Sequence, residues 1–578
     1  MSRKRWHIAQ GVGAVVVVWY LLAGYAVAAD WSAVTDERLL QADKEADNWL
    51  MYYRTYNGWR HSPLPQISAQ NVGKLVPKWL MALGEIGDQE ATPVVNNGVM
   101  IFPAGSIRRI QIFAVDAATG NFLWRHEHKH PDELTAFSTF HPHNRGVALY
   151  KDKVYFGTLD GKIKALDAKT GQVAWEQQVA DNADGYFFNH APLIAKGKVI
   201  MGTSGPGEMG VRSFVVAMNA DTGEPLWKTW MVPGQGEPGQ ETWAGESWKY
   251  GGGAVWMTGT YDPATNLLYI GVGNPAPFIW EMRKGDNLYT SSVLAMDADT
   301  GKIKWYYQYL PNDAWDFDTM DAHLLLNVKR DGKEVPAALQ PNKLGFLFTL
   351  DRTNGKLLAA TPFIKHLDWA KGYDLQTGKP IENPGKRPTI GGPALDICPS
   401  LYGGRNWANA AYNPQTGLMY IPANEVCMNY KYVSELVWKR GTPYVGVDWT
   451  PKMPLDNAGV VRAVDVNTGD IKWEWWNKAP LIWGGLLNTA GGLTFVGTWE
   501  GKLVALDHSN GKPLWDFNLG TPVSAPPISY AVGGKQYVAV VAGGKTRALI
   551  GMVKEPKLAE HVQKTPLGGM LAVFGLPE

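Results

Sequence analysis

Cysteine is nearly missing from this chain: its 578 residues include two, Cys398 and Cys427. No Cys-x-x-Cys-His occurs, so there is no attachment signal for a c-type haem on this chain. Charge of either sign is also in short supply. The net charge is +1, which gives a nucleic-acid partner nothing to hold electrostatically. A phosphate-binding loop is excluded as well. Gly543-Gly544-Lys545-Thr546 ends like one, but its first Gly would fall at Ala539, and little helix signal follows. Gly271-Val272-Gly273 opens no helix, which argues against a dinucleotide fold. No Pro- or Ser-rich linker divides the chain.

What is present is repetition. Ala114-Val115-Asp116…Thr119-Gly120…Trp124 recurs at Ala165…Trp175, Ala217…Trp227, Ala295…Trp305, Ala463…Trp473 and Ala505…Trp515, and without the Trp at Thr349-Leu350-Asp351…Gly355. The unit reads as a strand ending in Asp, a tight turn at Thr-Gly and a second strand. Gly supplies a positive φ, and the Asp carboxylate bonds the turn amides. The Trp offers a large apolar face to a neighbouring unit. Successive copies start 51, 52, 78, 54, 114 and 42 residues apart. About 50 residues is one four-stranded propeller blade. The 114-residue gap has room for a degenerate eighth copy, expected at Ala411–Tyr420. The expected fold is all-β: an eight-bladed β-propeller with Trp-docking repeats, forming a single domain over residues 30–578. Two tandem β domains are the alternative. Radial repetition lets so long a chain fold as one unit, because each blade packs only on its neighbours.

Arg3, Lys4 and Arg5 precede an apolar run from Gly11 to Ala29, and Ala26-Val27-Ala28 suits a small-x-small cleavage site. Residues 1–29 are expected to be a cleaved signal peptide that directs the chain to the periplasm. A membrane anchor is the alternative, since 19 apolar residues nearly span a bilayer. In an exported protein a lone pair of cysteines is read as a disulfide rather than two free thiols. A loop of that size contributes about 3–4 kcal/mol in the chain-entropy model.

Chemistry-bearing residues concentrate outside the repeats. Asp313-Ala314-Trp315-Asp316-Phe317-Asp318, read as a strand, puts Asp316 and Asp318 on one face. Two such carboxylates need a cation or proton between them, unless this is a solvated polar turn. Glu208 and Asn274 follow the predicted strands 198–203 and 267–272 and add oxygen donors suited to a hard cation. His126, His128 and His130 alternate along another strand, as a metal face or as a solvated strand edge.

Two longer segments carry a resemblance. The first is Asn48-Trp49…Tyr53-Arg54-Thr55…Arg60-His61-Ser62-Pro63-Leu64. The second is Trp256-Met257-Thr258-Gly259-Thr260-Tyr261-Asp262-Pro263…Gly273-Asn274-Pro275-Ala276-Pro277. With them the chain resembles the quinoprotein alcohol dehydrogenases, which carry pyrroloquinoline quinone (PQQ), from about Asn48 to Gly544. The resemblance implies an eight-bladed propeller that oxidises an alcohol by hydride transfer to PQQ. It implies a bound Ca2+ or lanthanide ion as Lewis acid and Asp316 as catalytic base. Glu208, Asn274 and Asp316 are the implied metal ligands. Asp318 joins them at an offset associated with lanthanide-using members. Trp256 is the implied floor under the quinone, and Lys343 the cation beside its oxygens. Glu90, Arg145, Asn189, Ser204, Gly205, Asn406 and Trp483 fall at cofactor contacts. Ordinary core packing remains open for Trp483, a surface salt bridge for Arg145, and a turn away from the site for Asp318. Cys398 and Cys427 match a structural disulfide of the methanol-oxidising branch.

The residue types suit that cofactor, a planar tricycle with three carboxylates that needs cations and amides at its rim and an aromatic below. Three departures stand out. The family's adjacent Cys-Cys pair, which caps the ring, is replaced by Ser138-Thr139-Phe140-His141, so that Phe140 or His141 takes its place. Asn189 stands where Thr is common. The stretch after Val541 lacks the usual Trp. The altered cap suits an alcohol bulkier than methanol. The expected partners are that small alcohol and a separate electron acceptor, a cytochrome c or a quinone pathway. The other class considered is a non-catalytic periplasmic scaffold.

Overall fold

The computed structural model describes residues 31–85, 87–433, 435–452, 458–477, 481–544 and 564–578. The expected signal segment 1–29 and Lys545 to Arg547 lie outside them. Among the described residues no helix is long and apolar enough to cross a membrane.

The described residues form eight sheets of four or five strands. The first runs Val94–Asn96, Val99–Gly105, Arg109–Asp116 and Phe122–Lys129, each strand antiparallel to the one before. The next four sheets repeat this order over 148–178, 193–230, 260–308 and 324–362. The motif is the last hairpin of each sheet. Asp116 Oδ1 accepts from the amides of Ala118 and Thr119 at 3.0 and 2.8 Å, and the Gly120 amide closes the turn on the Asp116 carbonyl. Asp167 repeats this with Lys169, Thr170 and Gly171.

The indoles link neighbouring sheets. Trp124 Nε1 donates to the Ala168 carbonyl of the second sheet, Trp175 to Ala220 of the third and Trp227 to Ala298 of the fourth. Trp473 reaches His508 of the seventh sheet, and Trp515 reaches Leu75 at the start of the eighth. Trp79 returns to Ala117 of the first; between the fourth and fifth sheets Trp305 packs its ring on Gly355 with its Nε1 unpartnered, and the contacts run around a ring as in a propeller. Where the fifth sheet lacks the Trp, Thr361 packs against Gly469 in its place.

Two expectations about this frame need correction. Ala411–Tyr420 is not an eighth copy of the motif. It spans the first hairpin of the sixth sheet, Ala411–Asn413 with Leu418–Asn424, whose last hairpin is the copy at Ala463. The eighth sheet has no contiguous copy because its last strand comes from the other end of the chain: Val76–Ala82 pairs with Gly569–Gly575. The long gap instead holds an excursion, a hairpin of Ala370–Tyr373 with Pro380–Glu382 and a three-stranded sheet of Leu395–Ile397, Cys427–Tyr432 and Val447–Lys452. Cys398 and Cys427 are joined in it as a disulfide.

The candidate active site

A cavity of about 380 Å3 opens between the sheets and this excursion. Glu90, Arg145, Asn189, Ser204, Gly205, Glu208, Trp256, Asp316, Asp318, Lys343, Asn406 and Trp483 all line it. Asn274 lies just behind the wall, its backbone amide donating to Asp318 Oδ1 at 2.8 Å. Residues scattered over some 400 positions thus converge from loops that lead into or out of the strands of several sheets.

The segment around Asp316 is not the strand its sequence suggests. Asp316 has φ +63°, in the left-handed region that a non-glycine residue adopts at a cost. Asp313 holds the loop in shape: its carboxylate accepts from the amides of Trp315 and Phe317 at 2.9 and 2.8 Å. The loop still turns both acids toward one cation. Lys343 Nζ lies 2.8 Å from Asp318 Oδ2 and 3.5 Å from Asp316 Oδ2, and donates to the Asp316 carbonyl at 2.8 Å. Asp318 therefore faces the site rather than turning away. Asp313 as the brace of this loop had only one signal in the sequence, an Asp spaced to cap the amides that follow it.

Glu208 sits on the short helix Pro206–Met209. Its lead-in, Gly205, has φ +95°, and a Cβ there would lie 2.3 Å from the Gly185 carbonyl oxygen. Removal from water and the charge of Asp318 push the Glu208 carboxyl up to about 8. Burial, then Asp318 and Glu208 against the pull of Lys343, push Asp316 well above the carboxylate range. Asn274 Oδ1 and Asp316 Oδ1 are buried with no hydrogen-bond partner. Three carboxylates and one ammonium leave an excess of negative charge that cannot stay ionised in a closed site without a further cation. Unpartnered oxygens beside that excess are the donor set of a hard metal ion. The residues fit one.

Arg145 is no surface salt bridge. It is 2% exposed, lies 4.9 and 5.0 Å from the rings of Trp256 and Trp407, and pairs with Glu90 at 2.9 Å. Burial pushes the Glu90 carboxyl up to about 7 against the pull of Arg145. Asn189 Oδ1 accepts from Ser204 Oγ at 2.8 Å, and its amide faces His143. Trp483 is buried, lines the cavity and meets the Tyr402 ring edge-on at 5.6 Å. A flat anion-bearing ring therefore finds an indole face, a guanidinium and amide groups in one cavity. At the mouth, Phe137 and His141 stand where the Cys-Cys pair was missed, their rings 4.7 Å apart. His141 was expected there and Phe137 was not; the side chain of Phe140 lies outside the described set. Asp88, His143, Phe278, Leu401, Tyr402, Val445, Val447 and Trp449 also line the cavity, and no sequence signal singled them out.

Fold and site together define a propeller enzyme built to hold a planar anionic cofactor beside a metal ion. The family model "PQQ: Glucose/ethanol/alcohol dehydrogenase, beta-propeller domain" matches residues 49–365 and 476–538. The quinoprotein alcohol dehydrogenase PedH of Pseudomonas putida is 41% identical over 585 residues, 96% of this chain and 95% of its own. The lanthanide-dependent methanol dehydrogenase of Methylacidiphilum fumariolicum is 35% identical, covering 90% of this chain and 89% of its own. A solved europium-containing methanol dehydrogenase superposes with a TM-score of 0.87 at 34% identity, over 93% of this chain and all of its own. The chain belongs to the PQQ-dependent alcohol dehydrogenase family. It is accordingly an oxidoreductase of CH–OH groups that works with PQQ and Ca2+ or a lanthanide ion.

Proposed function

We propose that this protein oxidises an alcohol to a carbonyl compound with Asp316 as general base and a metal held by Glu208, Asn274, Asp316 and Asp318. The observation that carries this reading is the pair of unpartnered oxygens, Asn274 Oδ1 and Asp316 Oδ1, beside two further carboxylates. Bound in this cavity, the quinone supplies the hydride acceptor and the metal a Lewis acid. Asp316 takes the hydroxyl proton. Lys343 fixes Asp316 and Asp318 and offsets their charge. Trp256 and Arg145 orient the ring, with Glu90, Asn189, Ser204, Gly205, Asn406 and Trp483 at its rim. Phe278, Leu401, Val445, Val447 and Trp449 give the alcohol's carbon skeleton a dry, apolar wall, roomier than methanol needs.

The domain reading is one propeller over residues 30–578, each of the eight sheets being a blade, docked through a Trp except at the fifth, where Thr361 takes that place. The indole-to-carbonyl bonds around the ring support it. The protein works in the periplasm, delivered by a cleaved signal peptide, and hands its electrons to a separate cytochrome c or quinone pathway. The ion is a lanthanide. Asp318 adds a third anionic side chain at the site, which suits a trivalent charge. The test reconstitutes metal-free protein with PQQ and either Ca2+ or La3+, then measures dye-coupled oxidation of a series of primary alcohols. La3+ should give the higher activity, and Asp318→Ala should remove that advantage. Full activity with Ca2+, none with La3+ and no effect of Asp318→Ala would refute the lanthanide assignment. No turnover with either ion would refute the enzyme reading.

A further inference from the structure

His128, His130 and Asp160 meet at the junction of the first and second sheets, and the reaction uses none of them. His128 lies in the outer strand Phe122–Lys129 of the first sheet, and His130 directly follows it. Asp160 lies in the tight turn between Lys153–Gly157 and Lys162–Asp167 of the second sheet. All three are buried, with exposures of 8–9%. This overturns the solvated strand edge for His128 and His130, which the next sheet covers; His126, offered with them, is half-buried and takes no part in the cluster.

The geometry points to a zinc-type metal site here. One ligand atom from each residue lies within 4.8 Å of the others. His128 Nε2 is 3.0 Å from Asp160 Oδ1 and 3.1 Å from Oδ2. His130 Nδ1 faces the Ile107 carbonyl at 3.1 Å, so that nitrogen carries the proton. Its Nε2 is therefore a bare lone pair, and it is buried without a partner. An imidazole fixed by a backbone carbonyl with its other nitrogen free is how proteins present a metal ligand. Thr158 Oγ1 donates to Asp160 Oδ1 at 2.5 Å and orients the carboxylate in the same way. A tetrahedral zinc ion with bonds of about 2.0–2.2 Å needs its ligands roughly 3.3–3.5 Å apart, so the His128–Asp160 pair opens slightly, His130 adjusts to that spacing, and a water completes the set. Two imidazoles and one carboxylate select a borderline ion such as Zn2+. They do not suit the hard cation of the carboxylate cluster, which takes many oxygens.

Two cations oppose binding: Lys162 Nζ lies 4.0 Å from Asp160 Oδ2 while pairing with Glu176 at 2.7 Å, and Lys164 faces His128. Lys164 Nζ lies 3.3 Å from His128 Nδ1 and must donate to it, which places the ring proton on Nε2. Lys164 also pairs with Glu176 at 2.8 Å. On metal binding the ring proton moves from Nε2 to Nδ1 and Lys164 withdraws wholly onto Glu176. The ion would pin the first sheet to the second at the root of the 131–141 arm that carries Phe137 and His141 to the cavity mouth.

The test titrates Zn2+ into protein already loaded with PQQ and its active-site ion, followed by calorimetry and thermal melting. One equivalent should bind and raise the melting temperature. His130→Gln and Asp160→Asn should each weaken that binding by at least about 10-fold. Asp318→Ala should leave it intact, since it changes the other site. Crystals of the unmutated protein soaked in Zn2+ should show anomalous density at the zinc edge between the three side chains, which keeps the test independent of how the variants fold. No stoichiometric uptake, uptake unchanged in both ligand variants, or a water without anomalous signal at His130 Nε2 would each overturn the site.

Discussion

Asp316 combines a left-handed backbone with a buried carboxyl whose Oδ1 has no partner. Such a residue is held by its surroundings for a purpose other than stability. Asp316→Asn keeps the volume and removes the base. Turnover should fall by at least about 100-fold while bound PQQ, read by its absorbance, is retained. Near-normal turnover at saturating metal would remove Asp316 from the mechanism. His190 allows a pH test on a ring whose shift is set first by burial, with the Arg145 charge adding to it. Both its ring nitrogens lie 3.0 Å from backbone carbonyls, of Ala191 and Gly202, and burial lowers it to about 4. The unfolded ring titrates near about 6.5, so the unfolded chain takes the proton first. The stability contributed by the neutral ring is therefore complete above that value and is lost as pH falls toward 4. In urea titrations, the advantage of the native protein over His190→Gln should be constant above about pH 7 and shrink by about 1.4 kcal/mol per unit below about pH 6. An advantage that grows on acidification would contradict this.

The repeated hairpin shows what a short motif does and does not disclose. Asp, Thr-Gly and Trp together specify a turn and a contact to the next sheet; the turn forms as read, and the indoles of Trp124, Trp175, Trp227, Trp473 and Trp515 reach carbonyls beyond their own sheet, whereas that of Trp305 does not. The motif does not say which hairpin of a sheet it is. Ala411–Tyr420 has the turn but not the docking partner. Gly171 and Gly417 separate these two properties. Their φ values are +72° and +68°, yet a Cβ on Gly171 would lie 2.6 Å from the Trp124 ring, whereas none of the surroundings comes within 4 Å of one on Gly417. Gly417→Ala should cost about 1–2 kcal/mol for the left-handed backbone alone. Gly171→Ala should cost a further 1–3 kcal/mol or so because the indole is displaced. Equal losses in denaturant melts would mean that the indole contact contributes nothing to the junction. Asp313–Asp318 marks the opposite case. Its alternation suggested a strand, and the pairing of Asp316 with Asp318 survived only because the Asp313-braced loop turns both toward Lys343.

At the scale of the whole molecule, the ring closes by pairing Val76–Ala82 with Gly569–Gly575, a contact between the two ends of the chain that no local pattern announces. The cavity wall divides along the same line. Residues in long distinctive segments, such as Trp256 and Asn274, were legible through their neighbours in sequence. Phe278, Val445, Val447 and Trp449 were not, because an apolar side chain facing a cavity has the same sequence signature as one facing the core. The central claim is that one cavity holds PQQ over Trp256 with a metal between Glu208, Asn274, Asp316 and Asp318. The most direct measurement is a crystal structure of protein loaded with PQQ and La3+, located by its anomalous scattering. The expected result is a single strong peak at bonding distance from Asn274 Oδ1, Asp316 Oδ1 and carboxylate oxygens of Glu208 and Asp318, with the quinone stacked on the Trp256 indole and Lys343 displaced from Asp318. A lanthanum peak away from these four residues, or a quinone lying elsewhere than on Trp256, would contradict it.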